Sequence, residues 1–236
     1  KGFNLGRTAA TLTVRSGKLL ADIAELELGT TGTASLQVTA NTGELVPRYA
    51  LKGKLENIDT AEAAAALLAG TTWSGKGSLH FDLTGTGQAP AEVLRTLSGR
   101  LGLTMAPGAR VPFDLKGGRA ALKTASVSGW QPLTKAQTPL EACELRANVA
   151  NGVAEIETQQ LKSSANGLLM SGRIALADGE MDVTVGSRAP AAGEKPGRSD
   201  LLGADVLRLN GALSNPTLSL REAEATRELP AKPGAN

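Results

Sequence analysis

The stretch that decides the fold runs from Asp59 to Leu115 and reads, in four consecutive pieces, DTAEAAAALLAG (59–70), TTWSGKGSLHFDLTGTG (71–87), QAPAEVLRTLSG (88–99) and RLGLTMAPGARVPFDL (100–115). The second and fourth pieces carry apolar residues at alternate positions, a pattern typical of a β-strand with one buried face. The first and third pieces have the flanking residues of short helices. Reactive side chains are scarce throughout. The stretch therefore favours a β-rich protein that works through a surface.

Two segments of this stretch are predicted to be short helices. Asp59 is a good N-cap with Glu62 three residues later, and Gly70 can end that helix in a left-handed conformation. In the second segment Pro90 lies near the first turn and Gly99 is the predicted stop. Helices of about ten residues are marginal in water, so both need a sheet to pack on. Their apolar residues are candidate plugs against that sheet: Leu67, Leu68, Val93, Leu94 and Leu97.

Alternation of apolar with small or polar residues continues along the rest of the chain. It is found at Leu12/Val14, Leu26/Leu28, Leu36/Val38, Leu51/Leu55, Leu79/Phe81/Leu83, Leu101/Leu103/Met105, Ile174/Leu176 and Met181/Val183/Val185. Closely spaced glycines favour an antiparallel meander with tight turns, and Asp178-Gly179 is predicted to form a two-residue hairpin turn. The predicted fold is mainly β: a curved antiparallel sheet, an open β-groove or half-barrel, with two short α-helices.

The domain organisation follows from changes in composition. Residues 1–186 are predicted to form one β-rich domain, and 187–200 (SRAPAAGEKPGRSD) a flexible loop. Residues 201–220 are predicted to form a closing β-hairpin of the same domain, and 221–236 a disordered tail. The chain begins with Lys1 and shows no signal peptide, so we expect a fragment or a processed product of a longer protein.

Composition argues against several classes of function. With 25 Lys+Arg against 23 Asp+Glu the formal net charge is +2, and only 3% of residues are aromatic, so nothing points to nucleic acid. The single cysteine, Cys143, excludes an intrachain disulfide. The sequence has no apolar run of about 18 residues, the length that suggests a membrane-spanning helix.

No motif in the sequence predicts catalysis. Gly70–Gly77 imitates a phosphate-binding loop, but Gly77 stands where that loop needs Ser or Thr, and the segment leads into a strand. His80 is predicted to point to solvent beside Asp82 on the polar face of its strand. One histidine and one cysteine make neither a metal site nor a nucleophile–base pair. We therefore expect no enzymatic activity, no metal and no cofactor.

The apolar stripes leave two interpretations open. They form either the core of an ordinary β-sandwich, or the partly open face of a curved sheet that binds an apolar ligand. In the second interpretation the candidate lining residues of the groove are Leu36, Val38, Leu79, Phe81, Leu83, Leu101, Leu103, Ile174, Leu176 and Val183.

The order of these segments resembles the C-terminal region of the AsmA family of Gram-negative envelope proteins. The resemblance covers about residues 1–220 and is carried by LGRTAATLTVRSGKLLADIAELELGTTGTASLQV (5–38), GKGSLHFDLTGTGQAPAEVLRTLSGRLGLTM (75–105), NGVAEIETQQLKSSANGLLMSGRIALADGEMDVTV (151–185) and LRLNGALSNPTLSL (207–220). The segment RVPFDLKGG (110–118) departs from the family pattern. The resemblance implies a periplasmic domain of an inner-membrane-anchored protein, with the anchor outside this segment, and a repeating β-groove architecture with an apolar lining.

The expected function follows from that resemblance. It is non-enzymatic binding or guiding of phospholipid, or another acyl-chain ligand, through the groove for outer-membrane biogenesis and envelope integrity. An acyl chain gains roughly 0.8 kcal/mol per buried methylene, so an apolar trough needs no special residues to hold it. The alternative is a structural or adaptor module that assists outer-membrane protein assembly by contacting envelope proteins along an open sheet edge.

Overall fold

The computed structural model describes residues 5–29, 31–61, 74–111, 114, 118, 120, 122, 127–134, 137–141, 143–161, 167–188 and 206–220. In this part of the chain the strands are β1 (Leu5–Arg15), β2 (Lys18–Leu28), β3 (Gly32–Asn41), β4 (Arg48–Asp59), β5 (Lys76–Thr86), β6 (Ser98–Met105), β7 (Arg110–Val111), β8 (Val127–Ser128), β9 (Thr138–Pro139), β10 (Cys143–Ala150), β11 (Val153–Leu161), β12 (Gly167–Ala175), β13 (Glu180–Arg188), β14 (Val206–Ala212) and β15 (Thr217–Leu220). Helix α1 spans Pro90–Thr96, and a 3-10 turn spans Gln131–Leu133.

Thirteen strands form one antiparallel sheet in the order β1-β2-β3-β4-β5-β6-β10-β11-β12-β13-β14-β15-β8. Strands β7 and β9 pair separately. The large sheet is curved and does not close, with β1 at one end and β8 at the other. The predicted fold class, a mainly β protein built on a curved open antiparallel sheet, is confirmed.

The register gives this sheet one continuous apolar face. Directly paired residues on neighbouring strands point to the same side. Leu79 pairs with Leu55 on one flank and with Leu103 on the other, and Phe81 likewise pairs with Gly53 and Leu101. The opposite face carries the charges, for example the Lys52–Asp82 and Arg208–Asp182 ion pairs. Alternation along each strand therefore becomes a division between two faces of the whole sheet.

The chain between β6 and β10 covers half of the apolar face. Its described residues Ala109, Val111, Trp130, Leu133 and Leu140 are buried in the main core. Trp130 also donates a hydrogen bond from Nε1 to the Leu213 carbonyl (2.9 Å), next to the last hairpin. On the sheet side this core is formed by Met105, Cys143, Leu161, Leu168, Met170, Met181, Val183, Val185, Leu207, Leu209 and Leu218. The sheet is thus closed on one side from β10 to β15.

The other half of the apolar face, on β1–β5, is more exposed. Among the described residues only two small clusters form there. One contains Leu28, Ala34 and Ile58. The other joins Phe81 and Leu83 of β5 to residues outside β1–β5, namely Leu97, Leu101, Ala147, Val149, Ala154 and Leu176. Large apolar side chains of β1 remain in solvent.

The predicted helices are observed in part. Helix α1 begins at Pro90 as predicted, but it ends at Thr96, and the predicted stop Gly99 instead lies within β6 at φ +143°. Asp59 accepts a hydrogen bond at Oδ1 from the Ala61 amide (2.8 Å), as an N-cap does. Thr60 and Ala61 are helical, and the candidate plugs Leu67 and Leu68 lie outside the described residues.

The turn prediction at Asp178-Gly179 is wrong in length. Ala175 pairs with Glu180, so the β12–β13 loop contains four residues, 176–179, and Gly179 donates to the Ala175 carbonyl (2.9 Å) at φ +66°. Two-residue turns occur instead at 16–17 and 151–152, where both residues have positive φ. The longer loop shifts the pairing by two residues, because Ala175 lies opposite Glu180 where a two-residue turn would place Ala177, and each side chain keeps the same face.

The closing hairpin is observed in the predicted place. Strands β14 and β15 lie within residues 201–220 and continue the sheet from β13. Strand β13 extends to Arg188, so the predicted loop at 187–200 starts two residues too early. Residues 189–205 and the predicted tail 221–236 lie outside the described residues.

Candidate apolar binding face

Seven of the ten predicted lining residues lie together on one face of neighbouring strands. They are Leu36 and Val38 on β3, Leu79, Phe81 and Leu83 on β5, and Leu101 and Leu103 on β6. Strand β4 lies between the first group and the second and contributes Leu51 and Leu55 to the same face. All seven thus belong to one contiguous surface.

The other three predicted lining residues lie elsewhere. Val183 is 4% exposed inside the main core, between the sheet and the chain that covers it. Ile174 is half-buried and packs against that core. Leu176 lies in the β12–β13 loop rather than in a strand and contacts the cluster around Leu83. The structure therefore assigns Val183 and Ile174 to the covered half, whereas Leu176 adjoins the surface on β3–β6 from a loop.

The surface extends beyond the predicted residues to the edge of the sheet. A row of directly paired side chains runs Leu12, Ala21, Val38, Leu51 and Leu83, across five strands. At about 4.8 Å between strands, this row is roughly 19 Å long. It runs from Leu12, which is 65% exposed, to the buried Leu83.

A second row of directly paired residues lies two residues away on each strand. It runs Ala10, Ile23, Leu36, Gly53 and Phe81. Leu12 and its neighbour Val14 (64% exposed) were absent from the predicted lining residues, although their alternation was visible in the sequence. We call the apolar side of β1–β5 the open face.

A glycine makes room for the aromatic ring at the centre of the open face. A Cβ atom on Gly53 would lie 2.5 Å from Cζ of Phe81, so the ring lies over the backbone of β4. Phe81 in turn contacts the cluster that contains Leu83 and Leu101. Any side chain at position 53 would displace the ring.

Helix α1 closes one end of this surface. A Cβ atom on Gly85 would lie 3.1 Å from Cγ1 of Val93 and 3.3 Å from Cδ1 of Leu97, so both side chains lie on the end of β5. Leu94, the third predicted plug of this helix, is 39% exposed. The helix therefore packs through Val93 and Leu97.

Chemically reactive groups are absent from the open face in the described residues. His80 is exposed on the opposite face and lies over Gly102, whose missing side chain leaves space for the imidazole. Cys143 belongs to the covered half, where burial, helped by the neighbouring Glu144 carboxylate, raises the pKa of its thiol to about 12. The thiol is therefore protonated and unreactive at neutral pH.

The described residues contain neither a cluster of metal ligands nor a membrane-spanning helix. Within the described ranges no group of three or more His, Cys, Asp or Glu side chains could hold a metal ion. None of the helices in the described residues is long and apolar enough to cross a membrane.

Strand β1 forms one edge of the sheet. It is eleven residues long, and in the described structure it pairs only with β2. The strand at the other end, β8, has two residues. One long strand edge thus lies directly beside the most exposed part of the open face.

Comparison with known proteins gives no match: no family model, no curated protein and no solved structure is similar to this chain.

Proposed function

We propose that this chain is a non-enzymatic lipid-handling domain whose open face binds the acyl chains of a phospholipid. The observation that carries the proposal is the continuous row from the exposed Leu12 through Val38 and Leu51 to the buried Leu83. Contiguous exposed apolar surface on a folded protein usually marks a binding site. The covered half of the same face shows that the sheet can be closed by apolar groups packed on it.

An acyl chain suits this surface better than a polar ligand does. The open face offers aliphatic side chains, one phenyl ring and no charged group along the two rows described above. Each methylene transferred from water onto such a surface gains roughly 0.8 kcal/mol, so micromolar binding, about 8 kcal/mol, requires burial of at least about ten methylenes. Recognition of this kind is insensitive to the headgroup.

The cellular setting of the proposal comes from the AsmA-like order of segments. In that setting the chain is a periplasmic part of an inner-membrane-anchored protein of a Gram-negative bacterium, and it guides phospholipid for outer-membrane biogenesis and envelope integrity. The surface chemistry supports lipid binding independently of that setting.

The test is a pair of substitutions at adjacent positions on β3. Leu36→Asp places a carboxylate on the open face, whereas Ser35→Asp places one on the opposite face, where Ser35 pairs directly with Lys54. We expect wild type and Ser35→Asp to extract a fluorescent phospholipid from liposomes and to retain phospholipid detectable by mass spectrometry. Leu36→Asp should lose both activities at least tenfold.

A third variant protects the test against unfolding. Leu12 is mostly exposed, so Leu12→Asp should leave the circular dichroism spectrum unchanged and still weaken extraction. If folded wild-type protein extracts no lipid, or if Leu36→Asp and Leu12→Asp extract as well as Ser35→Asp, the proposal is wrong.

A second candidate function is docking of an envelope protein along β1. Among the described residues this eleven-residue strand pairs only with β2, and a long edge of this kind can accept a strand from a partner. Absence of lipid from the wild type, together with unimpaired partner binding by Leu36→Asp, would favour this function over lipid handling.

A further inference from the structure

We propose that a pocket on the polar side of β1–β5 binds an organic phosphate. The pocket has a volume of about 640 Å³, and most of its lining residues lie on the side of the sheet opposite to the open face. Three cationic side chains, Arg15, Lys18 and Arg48, are among its lining residues. Since it uses the other side of the sheet, this site is separate from the proposed acyl-chain surface.

The strand register places the three cations in one line. Arg15 is directly opposite Lys18, Lys18 is opposite Asn41, and Asn41 is opposite Arg48. With about 4.8 Å between strands, the line is about 14 Å wide. Like charges directly opposite one another on a sheet destabilise it. A bound anion between these side chains would remove that repulsion.

Protein carboxylates compensate this charge only at one end of the line. Arg48 donates from Nε to Glu44 (3.1 Å), and Asn41 donates to the other oxygen of the same carboxylate (3.0 Å). No ion pair joins Arg15 or Lys18 to any described residue, and no acidic residue lines the pocket. Arg15 and Lys18 are therefore the groups that an external anion would meet.

A second line of residues in the same pocket indicates which chemical group the phosphate would carry. Two residues away from the cations on each strand lies a line of directly paired residues from β1 to β5: Thr13, Leu20, Thr39, Ala50 and Thr84. The hydroxyl groups of Thr13, Thr39 and Thr84 thus lie on the pocket floor, where they can donate hydrogen bonds to a ligand and accept them from it. A polyol phosphate such as glycerol phosphate would combine hydrogen bonds of this kind with the contacts of its phosphate to the cations.

Phosphate matches the cation line better than a carboxylate does. An arginine fork and a lysine ammonium form charge-assisted hydrogen bonds with separate phosphate oxygens, and a phosphate monoester carries close to two negative charges at neutral pH. A single carboxylate is satisfied by one arginine. Binding should therefore weaken as salt is added, since these side chains are exposed.

The test uses titration calorimetry with glycerol 3-phosphate as probe and glycerol as its neutral control. The wild type should bind glycerol 3-phosphate saturably and glycerol not at all. The double variant Arg15→Gln/Lys18→Gln should bind at least tenfold more weakly. Arg100→Gln is the matched control, because Arg100 is exposed on the same side of the sheet and does not line the pocket.

A vesicle experiment separates the two sources of such a phosphate. If vesicles containing phosphatidylglycerol bind the wild type and Arg100→Gln but not the double variant, and glycerol 3-phosphate does not bind, the site takes a lipid headgroup. If glycerol 3-phosphate binds with the same dependence, it takes a soluble polyol phosphate. If neither probe distinguishes the folded double variant from Arg100→Gln, the proposal is overturned. Lipid extraction by Leu36→Asp is measured separately. A negative result at the phosphate site would therefore not contradict acyl-chain binding by the open face.

Discussion

Two leucine-to-alanine substitutions at opposite ends of the sheet should differ several-fold in their effect on stability. Leu209 is 1% exposed and pairs directly with Val183 and Leu218 inside the main core. Strands on both sides limit collapse around the cavity, so Leu209→Ala should lower the free energy of unfolding by about 2–5 kcal/mol. Leu12 is 65% exposed. Full burial of a leucine contributes about 1.5–3 kcal/mol, so losing the buried third of Leu12 should cost only about 0.5–1 kcal/mol.

Urea unfolding followed by circular dichroism measures this difference. With an m-value of about 2 kcal/mol/M, the midpoint should fall by about 1–2.5 M for Leu209→Ala and by at most about 0.5 M for Leu12→Ala. The m-value should stay unchanged in both variants. Equal shifts would refute the division of the apolar face into a covered half and an open half.

Three other predictions concern single sites. Gly99→Ala should lower the unfolding free energy by more than about 1 kcal/mol in the same assay, because a Cβ there would lie 2.0 Å from the Asp82 carbonyl oxygen at φ +143°; an unchanged midpoint would contradict this. Cys143, whose thiol pKa is raised to about 12, should react with a disulfide reagent at pH 8 only after unfolding in urea, and rapid labelling of the folded protein would disprove its burial. The hydrogen bond from Arg208 lowers the pKa of Asp182, so this pair stabilises the fold above the ordinary carboxyl pKa of about 3.9 and the stabilisation is lost as pH falls through the lower folded value. Thermal unfolding of Arg208→Gln should therefore change less than that of the wild type between about pH 5 and about pH 2, and parallel curves would rule out the linkage.

Local signals in the sequence were sufficient where short-range chemistry decides the structure. Period-two alternation identified the face that carries Leu79, Phe81 and Leu101, and Pro90 marked the start of α1. The turn at Asn151-Gly152 was predictable from the same kind of signal, because this dipeptide tolerates the positive φ that both residues adopt. At Asp178-Gly179 the dipeptide was right but two further residues join the loop.

The cover over β10–β15 could not be predicted from such signals. The sequence of residues 116–140 is weakly patterned, and the described residues of this segment pack against partners far away in the chain. Trp130 bonds to the Leu213 carbonyl 83 residues later, and Val127 pairs with Leu218. Contacts of this separation leave no periodic signal in the segment itself, so the sequence did not identify it as the chain that closes the main core.

Two tripeptides with the same pattern show why burial of a face does not follow from its sequence. Leu12-Thr13-Val14 and Val183-Thr184-Val185 both alternate an aliphatic residue, threonine and valine in the middle of a strand. The aliphatic residues are 65% and 64% exposed in the first, and 4% and 0% exposed in the second. Strand β1 is at the edge of the sheet, whereas β13 lies between two strands and under the covering chain, so the difference comes from position in the fold and not from the tripeptide itself. In the described structure Val183 and Val185 pack against other apolar side chains of the chain. Leu12 and Val14 are equally apolar but are exposed, so they would also be stabilised by an apolar partner. Under the proposed function, that apolar partner is an external acyl chain.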